Sequence, residues 1–287
     1  MFFRLEGDFM TVGELVTKGI KELESADVPE AQINAMYLLE YTMHISQMDY
    51  LLDRHRIVTN KEEEDYLSAI ATRKNRIPLQ HITGEQEFMG YTFLVNEHVL
   101  IPRQDTEILV EEAAKLAKGR RILDMCTGSG CIILSMEQLC KPKYAMGVDI
   151  SAEALSVAKE NGKRMDSKVH WLQSNLFDKV TKKFDVIVSN PPYIERQEIP
   201  KLMEEVRCYE PNLALDGGED GLEFYRRIIT ESKEHMESEG YLCFEIGYNQ
   251  GKAVSLLMKE AGFGKCQVIK DLAGLDRVVI GQLLNKM

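Results

Sequence analysis

The sequence predicts an α/β fold built on a parallel sheet, preceded by a small helical domain. Three observations predict it. Strand-like and helix-like segments alternate from about residue 103 onward, the rhythm of a sheet whose helices cover its faces. From Thr11 to about Arg76, apolar residues recur at helical intervals instead, with Leu15, Ile20 and Leu23 followed by Ile33, Met36, Leu38 and Leu39. A length of 287 residues with 44% hydrophobic content suits one large globular domain and a smaller one.

Taken in order, residues 1–76 form the expected helical domain, with Pro29 at a position where a helix's first turn tolerates it. This segment holds few glycines and no catalytic cluster, so it either docks a partner or packs as an appendage. Residues 77–102 change character. Gly84, Gly90 and Thr92-Phe93-Leu94-Val95 predict turns and short strands, a hairpin linking two domains. In residues 103–287 the expected strands are Arg121 to Asp124, Tyr144 to Asp149, Val169 to Gln173, Phe184 to Ser189, Tyr241 to Ile246 and Arg277 to Gly281. Ser151 to Arg164 and Gly221 to Ser238 read as helices between them.

Composition excludes several functions. A net charge of −11 argues against an enzyme that grips long nucleic acid, because phosphate binding needs a basic surface, so no stable nucleic-acid binding is expected. The six cysteines are scattered, without the paired spacing of a zinc or redox centre, and are expected to be reduced and mostly buried, with no metal. The start, Met1 to Asp8, lacks the apolar run of a signal peptide and carries acids that disfavour a transit peptide. No stretch is long and apolar enough to span a membrane, and a cytoplasmic protein is expected.

Two features point to a ribose-containing cofactor. After the first strand, Cys126-Thr127-Gly128-Ser129-Gly130 leads into the apolar run Cys131-Ile132-Ile133-Leu134, where small residues let a ligand approach unpaired backbone amides. Asp149 closes the next strand, where a carboxylate can accept two hydrogen bonds from a ribose diol. Ser151 can cap the following helix, which leaves Asp149 free for the ligand.

The fourth strand runs into Asn190-Pro191-Pro192-Tyr193, which should share a crevice with that turn. Its chemistry suits an NH2 group on a flat molecule. The Asn190 side-chain oxygen and the Pro191 carbonyl can accept the two protons, two prolines hold those acceptors still, and Tyr193 offers an aromatic face.

Together these residues resemble the Rossmann-like class I methyltransferases, in which the turn and the acid bind S-adenosyl-L-methionine and an [Asn/Asp]-Pro-Pro-[Tyr/Phe/Trp] motif receives the acceptor nitrogen. That motif occurs in enzymes acting on DNA, ribosomal RNA and protein glutamine. Further stretches are more particular: Pro78 to Glu85, Phe88, Leu100 to Glu107, Glu210 to Gly218, Asp220-Gly221-Leu222 and Glu245-Ile246-Gly247-Tyr248. From about Thr11 to the C-terminus they resemble the bacterial release factor glutamine methyltransferases, the PrmC or HemK family.

The resemblance implies a seven-stranded mixed sheet and methyl transfer to the side-chain N5 of the glutamine in the Gly-Gly-Gln motif of class I peptide chain release factors, with S-adenosyl-L-homocysteine as product. It implies that the helical domain helps to dock the release factor. Cys126, Thr127, Gly128, Ser129 and Gly130 correspond to the cofactor turn, Asp149 to the ribose ligand, and Asn175 and Leu176 to the residues flanking adenine, with Asn190 also bordering the cofactor. Asn190, Pro191, Pro192 and Tyr193 correspond to the glutamine site, with Asn190, Pro191 and Tyr193 in the catalytic role. Arg103 is expected at the substrate unless it is only a surface ion-pair partner.

Two departures from the family pattern matter. Cys126 stands where glycine is usual, acceptable if its φ stays negative, and Asn175 stands for aspartate, still able to hydrogen-bond an adenine amino group. The expected mechanism is direct in-line displacement, with acceptors on the NH2 protons supporting a weakly nucleophilic amide nitrogen. The alternatives are a nucleic-acid adenine or guanine amino methyltransferase, whose flipped base offers a similar NH2 edge, and a non-catalytic sensor of S-adenosylmethionine.

Overall fold

A computed structural model of the protein describes residues 10–284, which divide into two compact units. Residues 10–84 together with Glu204–Tyr209 form the first, and residues 85–203 with 210–284 form the second. The stretch Met1 to Asp8, read above for a targeting signal, lies outside the described residues.

The first unit is helical: α1 (Val12–Glu24), α2 (Ala31–Met43), α3 (Gln47–Asp53), α4 (Asn60–Lys74) and α5 (Leu79–Thr83). Three of these helices open with a capping box, Thr11 with Glu14, Ser46 with Asp49 and Thr59 with Glu62, in which each side chain satisfies the other residue's free backbone amide. Leu15, Leu23, Leu38, Leu39, Tyr66 and Ile70 make the core. Pro29 does not occupy the first turn of a helix. It lies ahead of Glu30, the left-handed N-cap residue of α2 at φ 51°. The strand-like reading of residues 77–102 also fails at its start, because Pro78 and the left-handed Gly84 bracket α5.

A buried polar cluster fastens Glu205 within this unit. Arg76 holds its carboxylate by two hydrogen bonds of 2.8 and 2.7 Å, Arg73 adds one of 2.9 Å, and Arg73 Nε donates to Asn34 Oδ1 at 2.8 Å. Burial would raise the Glu205 pKa, but these guanidinium hydrogen bonds win and hold it at about 2.

The second unit begins with a hairpin, β1 (Glu85–Phe88) and β2 (Tyr91–Leu94), turned by Met89 and Gly90 at φ 52° and 75°. Then follow α6 (Asp105–Ala117), β3 (Arg121–Met125), α7 (Cys131–Cys140), β4 (Tyr144–Asp149), α8 (Ala152–Arg164), β5 (His170–Gln173) and β6 (Phe184–Ser189). The short helix α9 (Glu204–Tyr209) carries Glu205 of the first unit, and α10 (Glu223–Ser232), β7 (Met236–Glu245), α11 (Gly251–Glu260), β8 (Phe263–Lys270) and β9 (Asp276–Leu283) complete the second.

Seven strands form one mixed sheet in the order β5-β4-β3-β6-β7-β9-β8. The first five run parallel, and β9 pairs antiparallel with both β7 and β8. All six strands expected from the residues are present. The seventh, implied by the resemblance alone, is β8, an edge strand with most of its residues at least partly exposed and therefore little apolar patterning. The helix expected over Gly221 to Ser238 is too long. It stops at Ser232, and Met236 instead pairs with Phe184 and buries its side chain as the start of β7.

Trp171, the one tryptophan, packs over three glycines from different elements: Gly130 before α7, Gly147 in β4 and Gly162 in α8. A methyl group added at Gly147 would lie 2.6 Å from the indole ring and 3.0 Å from Thr127 Oγ1. Asn161, buried beside them, donates to the carbonyls of Ser129 and Leu94 and accepts from the Leu94 amide, so it joins the hairpin to the loop after β3. Gly147→Ala should lower stability by about 1–3 kcal/mol through overpacking, read as a fall in calorimetric Tm; an unchanged Tm would show that the ring has room to shift.

Candidate functional site

The chain passes from β3 outward to β4 and β5 on one side, then returns to place β6 on the other side of β3. A crevice opens beyond the carboxyl ends of strands where the order reverses in this way. A cavity of 460 Å³ occupies that position.

Of the residues predicted for the site, Arg103, Cys126, Thr127, Gly128, Ser129, Asp149, Asn175, Leu176, Asn190 and Pro192 line this cavity. Gly130, Pro191 and Tyr193 do not line it, although each is adjacent in the chain to a residue that does. Gly130 is the N-cap of α7 at φ 80°, where a side chain would meet Trp171. Pro191 is buried.

The turn after β3 alternates sharply. Cys126 has φ 64° and Gly128 has φ 54°. The condition under which cysteine was acceptable at position 126 is therefore not met: the residue adopts the left-handed region, which costs a side chain roughly 1–2 kcal/mol. Two carboxylates hold the turn in place. Thr127 Oγ1 donates to Asp124 Oδ2 at 2.6 Å, and the Gly128 amide donates to Asp149 Oδ2 at 2.9 Å.

Ser151 caps α8 as expected, its hydroxyl accepting from the Ala154 amide. Asp149 is nevertheless not left wholly free. Its other oxygen accepts from the Ser151 amide at 3.0 Å, so each oxygen already holds one backbone hydrogen bond, with lone-pair capacity left for a ligand. Burial raises its pKa, against the pull of those amides.

Asn175 is exposed, and its Oδ1 accepts from Arg227 Nη2 at 3.3 Å. Leu176 is buried at φ 45°. Arg103 proves to be both things considered for it: a cavity residue and the ion-pair partner of Glu210, whose side chain is almost wholly buried. Burial raises the Glu210 pKa and Arg103 opposes the rise.

At the end of β6, Asn190 Nδ2 donates to Thr106 Oγ1 at 3.5 Å. Tyr193 turns its hydroxyl to Glu245 Oε1 at 3.4 Å, and burial drives the pKa of that phenol up. Gln250 Nε2 donates to the carbonyls of Tyr193 and Gly221, at 3.0 and 3.1 Å, while its Oε1 accepts from the Gly247 amide. Gly217 is required here, since a side chain would strike the Tyr193 backbone at 2.7 Å. Ile194 and Asp216 form a parallel bridge that ties the Glu210 to Gly218 stretch to this segment.

Thr106, Phe224 and Arg227 also line the cavity and were not identified as site residues from the sequence. Thr106 lies within the quoted stretch Leu100 to Glu107, so position offered a signal. Phe224 and Arg227 come from the first half of an ordinary amphipathic helix, α10, and offered none. Among the described residues, no group of three His, Cys, Asp or Glu side chains is placed to hold a metal ion, and all six cysteines are free, Cys208 being exposed. No helix among them is long and apolar enough to cross a membrane.

Comparison with known proteins agrees with this geometry. Residues 103–208 match the Methyltransferase small domain and residues 14–84 the PrmC N-terminal domain. The chain is 42% identical over 260 residues to a release factor glutamine methyltransferase of Clostridium acetobutylicum, covering 84% of this chain and 91% of that one. It is 38% identical over 277 residues to another from Fusobacterium nucleatum, covering 94% and 78%. A solved methyltransferase from Pyrococcus furiosus shares the fold, with a TM-score of 0.52 at 16% identity over 77% of this chain and 100% of that one.

Fold, turn and matched domain define a Rossmann-like class I methyltransferase. More narrowly, the chain belongs to the release factor glutamine methyltransferase family.

The buried Asp124 carboxyl sets a pH response. Burial pushes its pKa from 3.8 to about 7, Asp149 adds to the rise, and the Thr127 hydroxyl opposes it. The folded state thus keeps a proton that the unfolded chain releases, and stability falls as pH rises through that window. Asp124→Asn should flatten part of the loss in Tm between about pH 4 and about pH 7. Parallel Tm curves for variant and wild type would remove Asp124 as the source.

Proposed function

We propose that this chain transfers a methyl group from S-adenosyl-L-methionine to the side-chain N5 of the glutamine in the Gly-Gly-Gln motif of class I peptide chain release factors. One observation carries the reading. Asn190 and Pro192 border the same cavity as the turn and Asp149, in a chain 42% identical to a release factor glutamine methyltransferase.

The residues fit the cofactor. Gly128 has open space where a side chain would stand, and Asp149 keeps acceptor capacity for a ribose diol. Leu176, Ile150 and Phe224 supply apolar and aromatic surface for a purine. Asn175 is the candidate for the adenine amino group, with Arg227 fixing its side chain. When bound, S-adenosyl-L-methionine supplies an electrophilic methyl group on a sulfonium.

The protein's own residues then prepare the nitrogen. An amide nitrogen is a poor nucleophile because its lone pair is delocalised into the carbonyl. Asn190 Oδ1 and the Pro191 carbonyl accept from its NH2 group, which orients the lone pair and stabilises positive charge as it develops. Pro191 and Pro192 restrict the backbone that carries these acceptors. Gln250 and Glu245 secure Tyr193 from behind.

The helical unit is the proposed dock for the release factor. Ile33, Tyr37 and Tyr41 recur every four residues on α2 and stand about half exposed, and Met48, Leu51 and Leu52 on α3 are more exposed still. Apolar side chains left in water in such a row support a protein partner.

Incubation of the enzyme with a purified release factor and labelled S-adenosyl-L-methionine should add one methyl group to the Gly-Gly-Gln peptide, seen by mass spectrometry. A methyl group elsewhere, or on RNA, would overturn the substrate. Asn190→Ala should cost about a hundredfold in turnover with cofactor binding largely intact; near-normal turnover would remove Asn190 from the mechanism.

A further inference from the structure

An asparagine serves as an acceptor only if its amide is turned the right way. The two ends of that amide are nearly the same size, so shape alone does not choose between the oxygen and the NH2 group. Something beside Asn190 must choose. The neighbour within reach is Thr106, near the start of α6 and only 3% exposed, whose Oγ1 lies 3.5 Å from Asn190 Nδ2.

A threonine hydroxyl has one proton to give and lone pairs to offer, so what lies on its far side decides what it shows to Asn190. The other side chain that interacts with the Thr106 hydroxyl is Glu245, at the end of β7 and 2% exposed. One of its oxygens receives the Tyr193 hydroxyl, and the other, Oε2, is buried without a hydrogen-bond partner. A buried acceptor of this kind calls for a donor. Asp105 and Arg277 also face it, and the buried Tyr225 hydroxyl donates to the Glu245 carbonyl.

We propose that Thr106 is a positioning residue: it gives its proton to Glu245, presents only lone pairs to Asn190, and so turns the Asn190 NH2 group inward and its Oδ1 toward the acceptor nitrogen. Glu245 thereby sets the orientation of the acceptor from two residues away, without touching substrate. The same carboxylate receives the Tyr193 hydroxyl, so one buried group governs both ends of the Asn190 to Tyr193 segment.

The inference rests on the proposed reading for its link to catalysis, and the test keeps the two apart. Thr106→Val replaces the hydroxyl by a methyl group of similar size. It should lower kcat about tenfold, the value of one modest hydrogen bond, with KM for the release factor and Kd for the cofactor unchanged. Thr106→Ser restores the hydroxyl and should stay within about twofold of wild type. In asparagine-labelled protein, the Asn190 side-chain NH2 signal, identified by its loss in Asn190→Ala, should shift and exchange faster in Thr106→Val but not in Thr106→Ser.

If the buried site rejects valine, Thr106→Ala removes the same hydroxyl and gives the same readouts. An Asn190 NH2 signal indifferent to loss of the hydroxyl, or a serine variant as impaired as the valine one, would overturn the proposal. Wild-type enzyme that leaves the Gly-Gly-Gln glutamine unmethylated would instead sink the substrate reading, while the NH2 signal still decides the role of Thr106.

Discussion

Two carboxylates at neighbouring strand ends underlie the whole site. Asp124 is the penultimate residue of β3, beside β4, and Asp149 finishes β4; between them they take the Thr127 hydroxyl and the Gly128 amide. The turn is thereby pinned at two successive residues, which is what allows its backbone to sit at left-handed φ on both sides of Thr127. Burying a carboxylate is unfavourable, and desolvation raises the pKa of both aspartates, with the charge of Asp149 adding to the rise at Asp124. Strain and desolvation are concentrated where a ligand would be received and offset by the packed sheet beneath, a distribution common at functional sites.

A second layer of support lies behind the Asn190 to Tyr193 segment. Gln250 bridges Tyr193 to Gly221, Tyr225 reaches the carbonyl of Glu245, and the Ile194 bridge brings the Glu210 to Gly218 stretch alongside. Most of these bonds end on backbone atoms. They fix where the segment runs rather than what its side chains are, so the motif depends on residues remote in sequence that carry no reactive group of their own.

The fold was legible where burial imposes a pattern. Central strands such as Phe184 to Ser189 are apolar on both faces and stood out, as did the helical period of Leu15 and Leu23. The edge strand β8 did not, because solvent on its flank permits Lys265, Gln267 and Lys270. Met236 was absorbed into a helix since pairing with Phe184, not local preference, makes it a strand. At the site, the residues proposed to bear chemistry were picked out by type and position, and most of them line one cavity. What escaped was conformation and support: the positive φ of Cys126, the amide bonds already held by Asp149, and the placement of Thr106 and Arg227, which depend on helices docking from elsewhere in the chain.

The single indole of this protein rests beneath the turn proposed to receive the cofactor, against Gly130, Gly147 and Gly162. Its ultraviolet emission therefore comes from one known place, a few ångströms behind the cradle, with no second tryptophan to dilute it. Any ligand that tightens or loosens the turn alters the surroundings of that one fluorophore. The fold carries its own optical gauge of occupancy, and titrations can be followed on the unmodified chain.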